Sequence, residues 1–243
     1  MEDRMPRPRV ALVTGVSGHI GMAVAEELHS RGIRVFGIDR ALPAEQQWCD
    51  AFQQVDLGVG DLPSFSIPVN DLDYVFHVAG GALPGEVESE DLIRDAGLIN
   101  ETVRINFLSA LDVIHASLGL IRPGGSITLT SSINALADFG LPVYSASKAA
   151  LHGLVNAYAP VLSARQIRLN VAALGTVDHP GVRSLHASDP AHFDHLRSEL
   201  PSHELLTPTS VARAMVGLAV DQISVSGQTV VIDNGQLHAH AAR

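Results

Sequence analysis

Tyr144 and Lys148 are, by type and spacing, the residues of this chain best suited to moving a proton. They stand four positions apart in the segment YSASK, and on a helix such residues share one face. An ammonium held beside a phenol lowers the pKa of the phenol toward neutrality. A phenol tuned in this way can exchange a proton with an alcohol or carbonyl oxygen. Because Tyr-x-x-x-Lys occurs by chance on many helices, this chemistry depends on what the fold places around the pair.

A glycine-rich turn near the N-terminus predicts a dinucleotide site. An apolar strand pattern at residues 9–14 runs into TGVSGHIG (14–21), a helical pattern follows to about Gly32, and a second strand pattern (33–39) ends in Asp39. This order of strand, glycine turn, helix, strand and acidic residue is that of the dinucleotide-binding βαβ unit. A glycine turn that serves packing alone is the alternative.

Each glycine of this turn has an expected task. Gly15 permits the tight turn, while Gly18 and Gly21 permit close approach of the backbone and close packing of the helix. The unpaired N–H groups at the start of the helix then face a pyrophosphate.

Two carboxylates indicate how the adenosine half of the cofactor would be held. Asp39 can accept hydrogen bonds from the ribose hydroxyls and would repel a 2′-phosphate, which favours NAD(H). Arg40 could instead accommodate that phosphate, so NADP(H) is the alternative. Asp56, at the end of a predicted third strand, is a candidate partner for the adenine amino group or a turn-capping residue.

The rest of the chain alternates strand and helix patterns. Strand patterns occur in DYVFHVAGG (73–81), SITLTSS (126–132), QIRLNVAALG (166–175) and GQTVVIDNG (227–235), and helical patterns at 86–119, from about Pro142, and in TPTSVARAMVGLAV (207–220). Such alternation predicts one α/β domain over residues 1–243, a three-layer doubly wound Rossmann fold with a seven-stranded parallel sheet. Its right-handed crossovers bring the strand ends, and the site, to one edge.

Two segments do not fit the alternation. Residues 41–72 are less regular, and glycines and prolines break residues 58–71 so that any helix there is short. Residues 176–206 are polar and rich in histidine, which predicts a mobile lid with short helices over the substrate.

Composition narrows the classes of function. The chain has 243 residues, of which 46% are hydrophobic and 17% charged, and this favours a well-buried core. A net charge of −10 without a basic run disfavours nucleic acid and anionic membranes as partners. Apolar runs stay well short of the roughly 18 to 20 residues that span a bilayer. The N-terminus lacks a signal-type apolar stretch, and the single cysteine, Cys49, fits a reducing compartment, so we expect a cytoplasmic protein.

Histidines crowd the lid segment without a paired metal-ligand motif. The residues are His179, His186, His192 and His195. We therefore predict no metal site, because loose histidine clusters are usually solvated surface.

In order and approximate spacing, these motifs resemble those of the short-chain dehydrogenase/reductase family, in its compact single-domain branch. The resemblance runs from TGVSGHIG through HVAG, Asn106, the serine pair and YSASK to IDNG. It implies a catalytic tetrad of Asn106, Ser132, Tyr144 and Lys148. Counted back from the tyrosine, Ser131 has the commoner separation. Ser132 is preferred because the intervening loop can lose a residue, whereas a slip in the strand reverses side-chain direction.

The cofactor contacts predicted from the turns and from the resemblance are spread over the strand ends. They are Gly15, Ser17, Gly18, His19, Ile20, Gly21, Asp39, Arg40, Asp56, Leu57, Val78, Ala79, Gly80, Tyr144, Lys148, Gly175 and Val177.

Three departures from the family pattern affect loops and leave the tetrad complete. His19 stands where short members usually have glycine, and the glycine spacing is more like that of the extended branch. His77 and Val78 replace the asparagines of the usual NNAG-type turn, and Leu174 replaces the proline of the usual Pro-Gly.

The resemblance implies an NAD(H)-dependent oxidoreductase that interconverts a secondary alcohol and a ketone. Tyr144 would act as general acid or base, Ser132 would bind the substrate oxygen, and Lys148 would lower the Tyr144 pKa and bind the nicotinamide ribose. The backbone of Asn106 would hold a water that links Lys148 to solvent. Alternatives are an NADPH-dependent carbonyl or ketoacyl reductase, a non-catalytic NAD-binding protein, and an extended-branch epimerase or dehydratase, for which the chain is short.

The expected partners are small molecules and further copies of the chain. Family members usually pair through the helices that carry Asn106 and Tyr144, which implies a homodimer or homotetramer. The lid histidines, with Arg183 and Arg197, suggest a polar or anionic alcohol or ketone, although a hydrated surface loop would have the same composition.

Overall fold

A single parallel sheet forms the centre of the molecule. The computed structural model describes residues 7–59, 71–88, 95–187, 189 and 191–241. Within them, seven strands pair in the order β3-β2-β1-β4-β5-β6-β7, every pair parallel. The strands are β1 (Val10–Thr14), β2 (Arg34–Asp39), β3 (Ala51–Gln54), β4 (Leu72–His77), β5 (Ile121–Ser132), β6 (Arg168–Leu174) and β7 (Thr229–Ile232). The predicted doubly wound fold is confirmed.

Helices cover both faces of this sheet. They are α1 (His19–Ser30), α2 (Pro84–Glu88), α3 (Ala96–Val103), α4 (Ser109–Ser117), α5 (Pro142–Ser163), α6 (Pro180–Leu185), α7 (His192–Glu199), α8 (Pro208–Val216) and α9 (Gln236–Ala241). Successive residues of β1 show the layering, because Leu12 packs in the core formed with α4 and α5, and Val13 in the core formed with α1 and α8. No described helix is both long and apolar enough to cross a membrane.

The strand order reverses between β1 and β4. From β1 the chain winds outward through β2 and β3, then returns to β4 on the other side of β1 and winds outward through β7. Loops on the two sides diverge at this point, which opens a crevice at the carboxyl ends of the strands. Thr14 and His77, the last residues of β1 and β4, are register partners beside it.

The glycine turn lets α1 begin directly against the end of β1. Gly15 has a φ of 68°, a conformation that favours glycine. A Cβ placed on Gly21 would stand 2.0 Å from the Gly15 carbonyl oxygen, so helix and turn are in backbone contact. The tasks predicted for Gly15 and Gly21 in turn and packing are confirmed.

The helix predicted over residues 86–119 is interrupted. Residues 89–94 lie outside the described part, and α3 continues into α4 through a wider π-helical turn, Arg104–Leu108, ending at Ser117. Side chains compete there for backbone carbonyls, because Asn106 Nδ2 donates to the Thr102 oxygen (3.0 Å) and Ser109 Oγ to the Ile105 oxygen (2.7 Å). A π turn inside a helix is common at functional sites.

Two other predicted boundaries need correction. The third strand ends at Gln54 rather than Asp56, and β5 begins at Ile121, so it includes the predicted Pro123–Gly125 turn. The pairing of β4 with β5 shifts register at that point, which is how the strand accommodates the turn residues. The broken segment at 58–71 lies mostly outside the described residues.

The lid segment forms a small helical unit tied at its base. Its predicted short helices are confirmed as α6 and α7, which enclose an apolar cluster around Phe193 and Leu200. At the base, Val177 and Leu206 form a parallel bridge, and the Asp178 N–H donates to the Leu206 oxygen (2.8 Å). The predicted mobility of the segment stays a prediction.

We predict that Gly21→Ala lowers both stability and dinucleotide affinity. The new methyl group would overlap the Gly15 carbonyl, and overpacking of this kind costs roughly 1–3 kcal/mol. Thermal unfolding and NADH fluorescence titration measure the two effects. Gly153→Ala is the matched control, because Gly153 lies in α5 with nothing within 4 Å of its added Cβ. That control should unfold at the same or a higher temperature, and equal behaviour of the two variants would contradict the prediction.

Candidate active site

Two adjoining cavities open at the carboxyl edge of the sheet. The first, of about 460 Å³, lies against the glycine turn, and the second, of about 700 Å³, lies between β5, α5 and the lid. They share a border formed by Ile20, Val78, Gly80, Gly81, Ala82 and His179. A ligand that filled the first cavity and extended past this border would contact a second ligand bound in the second cavity.

The first cavity brings together all the predicted cofactor contacts between Gly15 and Gly80. Its wall at Gly15 is bare backbone, and a Cβ there would stand 2.7 Å from the Ala79 nitrogen, so the turn after β1 packs directly against the turn after β4. The N-cap of α1 is Gly18, so no side chain of the capping residue covers the N–H groups of the first turn. These features fit the diphosphate of a dinucleotide. Tyr144, Lys148, Gly175 and Val177 line the second cavity.

Asp39 is fixed at the wall of the first cavity by backbone donors. Its Oδ2 accepts the N–H of Ser17 (2.9 Å), and its Oδ1 accepts the N–H of Ala41 (3.1 Å). A carboxylate has about four acceptor sites, so both oxygens can still accept from ribose hydroxyls. Arg40 lines the same cavity with an exposed side chain.

Asp56 also lines the first cavity, where it caps a turn. Its Oδ1 accepts the N–H of Gly58 at 2.8 Å, which is the structural role that the sequence left open. A contact with adenine stays a prediction.

Lys148 is buried at the inner end of the second cavity. It is 2% exposed, and its Nζ donates to the Thr130 carbonyl oxygen at 2.9 Å. Burial lowers the pKa of this ammonium to about 8. The Nζ lies 5.8 Å from the centroid of the Tyr144 ring, on the shared helix face that the spacing predicted.

The Tyr144 phenol is held in its protonated form. Burial raises the pKa of this phenol, and the nearby Glu86 carboxylate raises it further, while the hydroxyl of Ser132 lowers it as a hydrogen-bonding neighbour. The predicted shift of this pKa toward neutrality is not what the structure has, because burial of the phenol raises it. That Lys148, whose ammonium donates to Thr130, lowers this pKa stays a prediction.

The two candidate serines face different partners. Ser131 Oγ hydrogen-bonds the Lys148 carbonyl oxygen (3.1 Å) and His152 Nε2 (2.8 Å), which ties β5 to the backbone of α5. Ser132, one residue on, points the other way, donates to Asn134 Oδ1 (2.9 Å) and neighbours the phenol of Tyr144. The arrangement favours Ser132 as the serine that shares a substrate oxygen with Tyr144.

Asn106 holds the glycine turn at the border of the two cavities by hydrogen bonds. It is fully buried, and its amide accepts from the N–H of Gly81 (2.8 Å) and donates to the Gly81 oxygen (3.0 Å). A Cβ on Gly80 would stand 2.7 Å from Asn106 Oδ1 and 3.2 Å from Lys148 Nζ, so the turn fits closely over both. The predicted water relay through the Asn106 backbone stays a prediction.

His77, one of the departures from the family pattern, is a neutral structural link. Its Nδ1 contacts Thr14 Oγ1 (2.9 Å) and its Nε2 contacts Ser109 Oγ (3.1 Å), so it joins β1 and β4 to α4. Burial, with the nearby Lys148 charge, lowers the pKa of this imidazole to about 3. The sequence showed that His77 departs from the family pattern. Its hydrogen-bond partners lie 63 and 32 residues away, so no local pattern predicted them.

The lid presents apolar side chains to the second cavity, together with His179, His186 and His192. Val182, Leu185 and Leu196 line it, and the rings of His186 and His192 stack at 3.9 Å. The described residues contain no group of three or more His, Cys, Asp or Glu side chains placed to hold a metal ion.

The lid arginines bind within the lid. Both Arg183 (2.6 Å) and Arg197 (2.8 Å) donate to the Asp178 carboxylate. These two guanidinium groups therefore give no support to the anionic substrate that the lid composition suggested.

One residue at the border was missed by sequence reasoning as a site residue. His179 lines both cavities, and its ring centroid lies 4.9 Å from that of His19. Its only sequence signal was membership of the histidine cluster.

Comparison with known proteins gives a consistent class. A family model described as enoyl-(acyl carrier protein) reductase matches residues 66–236. An uncharacterized oxidoreductase of Schizosaccharomyces pombe is 32% identical over 238 residues, covering 94% of this chain and 91% of its own. The 3-oxoacyl-(acyl-carrier-protein) reductase of Escherichia coli is 26% identical, covering 93% and 96%.

A solved structure agrees over the whole fold. An oxidoreductase from Burkholderia thailandensis, of the short chain dehydrogenase/reductase family by its description, matches with a TM-score of 0.80 at 26% identity, covering 96% of this chain and 94% of the other.

We predict that Ser132→Ala reduces turnover far more than Ser131→Ala. Loss of one donor to the reacting oxygen costs on the order of 10²–10³ in kcat. Ser131→Ala removes a structural hydrogen bond, worth about 1 kcal/mol of stability. Steady-state kinetics and thermal unfolding of both variants provide the measurement. A larger rate loss in Ser131→Ala would reverse the assignment.

Proposed function

The chain belongs to the short-chain dehydrogenase/reductase family of oxidoreductases, and on that premise we propose that it interconverts a secondary alcohol and a ketone by hydride transfer with a nicotinamide cofactor. The observation that carries the proposal is the grouping of Ser132, Tyr144 and Lys148 in the cavity that borders the glycine-lined one. A bound nicotinamide would supply or accept the hydride, which is the chemistry of the cofactor itself.

The residues of this chain bind the reacting oxygen and move its proton. The hydroxyls of Ser132 and Tyr144 would together hold the oxygen of a ketone. Tyr144, a phenol that carries its proton near neutral pH, would donate that proton to the oxygen as the alcohol forms. Lys148, whose pKa of about 8 allows both charge states near neutrality, would help return a proton to the phenolate. Alcohol oxidation would use the same groups in reverse, with Tyr144 as base.

Tyr144→Phe tests the reaction. Removal of the phenol should lower kcat by 10²–10⁴, the usual contribution of general acid–base catalysis. NADH affinity, measured by fluorescence titration, should stay at the wild-type value. Tyr158→Phe is the matched control, since Tyr158 lies on the same helix, packed against the core on one side of the sheet. Wild-type turnover in Tyr144→Phe would contradict the mechanism. NADH binding by a wild-type protein inactive on every substrate tried would favour the non-catalytic alternative.

NAD(H) is the form of cofactor that we propose, with NADP(H) as the alternative. Asp39 is the support, because a 2′-phosphate would face a carboxylate fixed by the N–H groups of Ser17 and Ala41. Like charges about 4 Å apart repel by roughly 1–4 kcal/mol at a protein surface.

We predict that NADH binds at least tenfold more tightly than NADPH and that Asp39→Asn narrows this difference. The substitution removes the charge and keeps an acceptor oxygen. Arg40→Gln, which neutralises the neighbouring exposed residue, should leave NADH affinity unchanged. Fluorescence titration of the wild type and both variants with both cofactors gives the six affinities required. Tighter binding of NADPH that is lost in Arg40→Gln would decide for NADP(H).

The second cavity supports a substrate with an apolar body. Its volume of about 700 Å³ suits a drug-sized molecule, and the lid contributes aliphatic side chains. A ketoacyl reductase activity is the second candidate, favoured by this lining and by the name of the Escherichia coli relative. A panel of ketones and secondary alcohols with short and long alkyl chains, run with NAD(H) and in parallel with NADP(H) and followed by the absorbance of the reduced cofactor, separates the two.

We also propose a cellular location and an oligomeric state. A single half-buried thiol, Cys49, supports a reducing compartment, and we place the protein in the cytoplasm. We propose a homodimer or homotetramer that pairs through α4 and α5. Light scattering of the purified protein tests the assembly.

A further inference from the structure

Glu86 is a buried acidic side chain that the proposed chemistry does not use. It belongs to α2, after the glycine turn that follows β4, and is 4% exposed. Its Oε1 accepts the backbone N–H of Tyr144 at 2.9 Å, and its Oε2 accepts the hydroxyl of Thr102 at 3.1 Å. A buried carboxylate is costly unless both oxygens are satisfied, and here each oxygen has a donor.

The first contact supplies a cap that α5 cannot provide for itself. Leu141, the N-cap residue, has a φ of 52° and an apolar side chain, so it offers no acceptor to the first turn. Glu86, from another element, accepts the N–H of the third helical residue instead. A carboxylate at this end also interacts favourably with the helix dipole.

Glu86 also has an electrostatic effect on Tyr144. Glu86 and Lys148 place opposite buried charges near Tyr144, and the negative charge contributes to the raised pKa of the phenol. Among the residues that the structure describes, the other titratable groups that line the same cavity are the lid histidines His179, His186 and His192. Burial lowers the pKa of both His179 and His186, so these two rings are neutral near pH 7.

We infer that Glu86 is a positioning residue of the reaction: its carboxylate anchors the first turn of the helix that carries Tyr144 and, as a buried negative charge near the phenol, disfavours the phenolate that alcohol oxidation needs. Reduction needs a phenol that can donate, whereas oxidation needs a phenolate. The charge leaves the equilibrium between alcohol and ketone unchanged and sets the pH range in which each direction is fast. The inference rests on the proposed function.

Glu86→Gln removes the charge and can keep the geometry. The glutamine oxygen can accept the N–H of Tyr144, and its amide can donate to Thr102, because a hydroxyl accepts as well as donates. Loss of the negative charge should lower the pKa of the phenol. The rising limb of kcat against pH for alcohol oxidation should therefore move to lower pH. On that limb, a phenol whose pKa is lower by one gives about tenfold more phenolate at the same pH.

Two controls separate charge from structure. Glu26→Gln makes the same substitution at an exposed position of α1 and should leave the limb in place. Thr102→Val removes the partner hydroxyl while the carboxylate remains, so it should lower the unfolding temperature without moving the limb to lower pH.

A readout without turnover keeps the inference testable by itself. Tyrosinate absorbance against pH, with the Tyr144→Phe variant subtracted, isolates the titration of this phenol in the wild type and in Glu86→Gln. A lower phenol pKa in Glu86→Gln supports the inference even if no substrate is turned over, in which case the proposed function fails alone. An unchanged or higher phenol pKa overturns it, including the case in which Glu86→Gln only lowers the unfolding temperature.

Discussion

The burial of Lys148 is the constraint around which the site is built. An ammonium removed from water is costly, and here one carbonyl, that of Thr130, receives it directly. The surroundings are matched to that charge. A Cβ on Gly80 would stand 3.2 Å from the Nζ, so glycine leaves the lysine its space. His77, which could have been a second cation, is kept neutral with a pKa of about 3. The amide of Asn106 then holds the neighbouring Gly81 in place from below. Movement of any of these groups would expose Lys148 to water or force other atoms against it. It would also displace the residues that border both cavities.

Much of the fold could be read from the sequence because most of its strands are buried on both faces. Such strands are continuous apolar runs, and the glycine turn and Asp39 fix their order in the first βαβ unit. The rule that ligands bind at the carboxyl ends of parallel strands then predicted that the site residues lie at one edge of the sheet. Strand alternation also separated Ser131 from Ser132. The π turn was not predictable in this way, since it depends on the side chains of Asn106 and Ser109 reaching carbonyls one turn earlier.

The protonation state of Tyr144 shows where sequence reasoning fails. The lysine four residues away is a local signal, and it suggested an acidic phenol. The opposing carboxylate lies 58 residues earlier, and burial is a property of the whole packed structure. Local spacing could therefore single out Tyr144 as the candidate proton-transfer residue but could not give its charge. The substitution of His77 is a related case: a change that looked disruptive in the sequence is absorbed by hydroxyls from β1 and α4.

The bridge between Val177 and Leu206 has a consequence for how such an enzyme can change. It closes the base of the lid, because the two ends of the segment pair with each other there, outside the seven strands of the sheet. Within the lid, Arg183 and Arg197 both donate to Asp178, and these contacts stabilise the lid without involving the sheet. Insertions, deletions or a new lining there would reshape what is bound while the glycine turn and the proton-transfer groups keep their positions. The lid is in this sense an exchangeable module, and substrate range can diverge while the redox apparatus is inherited intact.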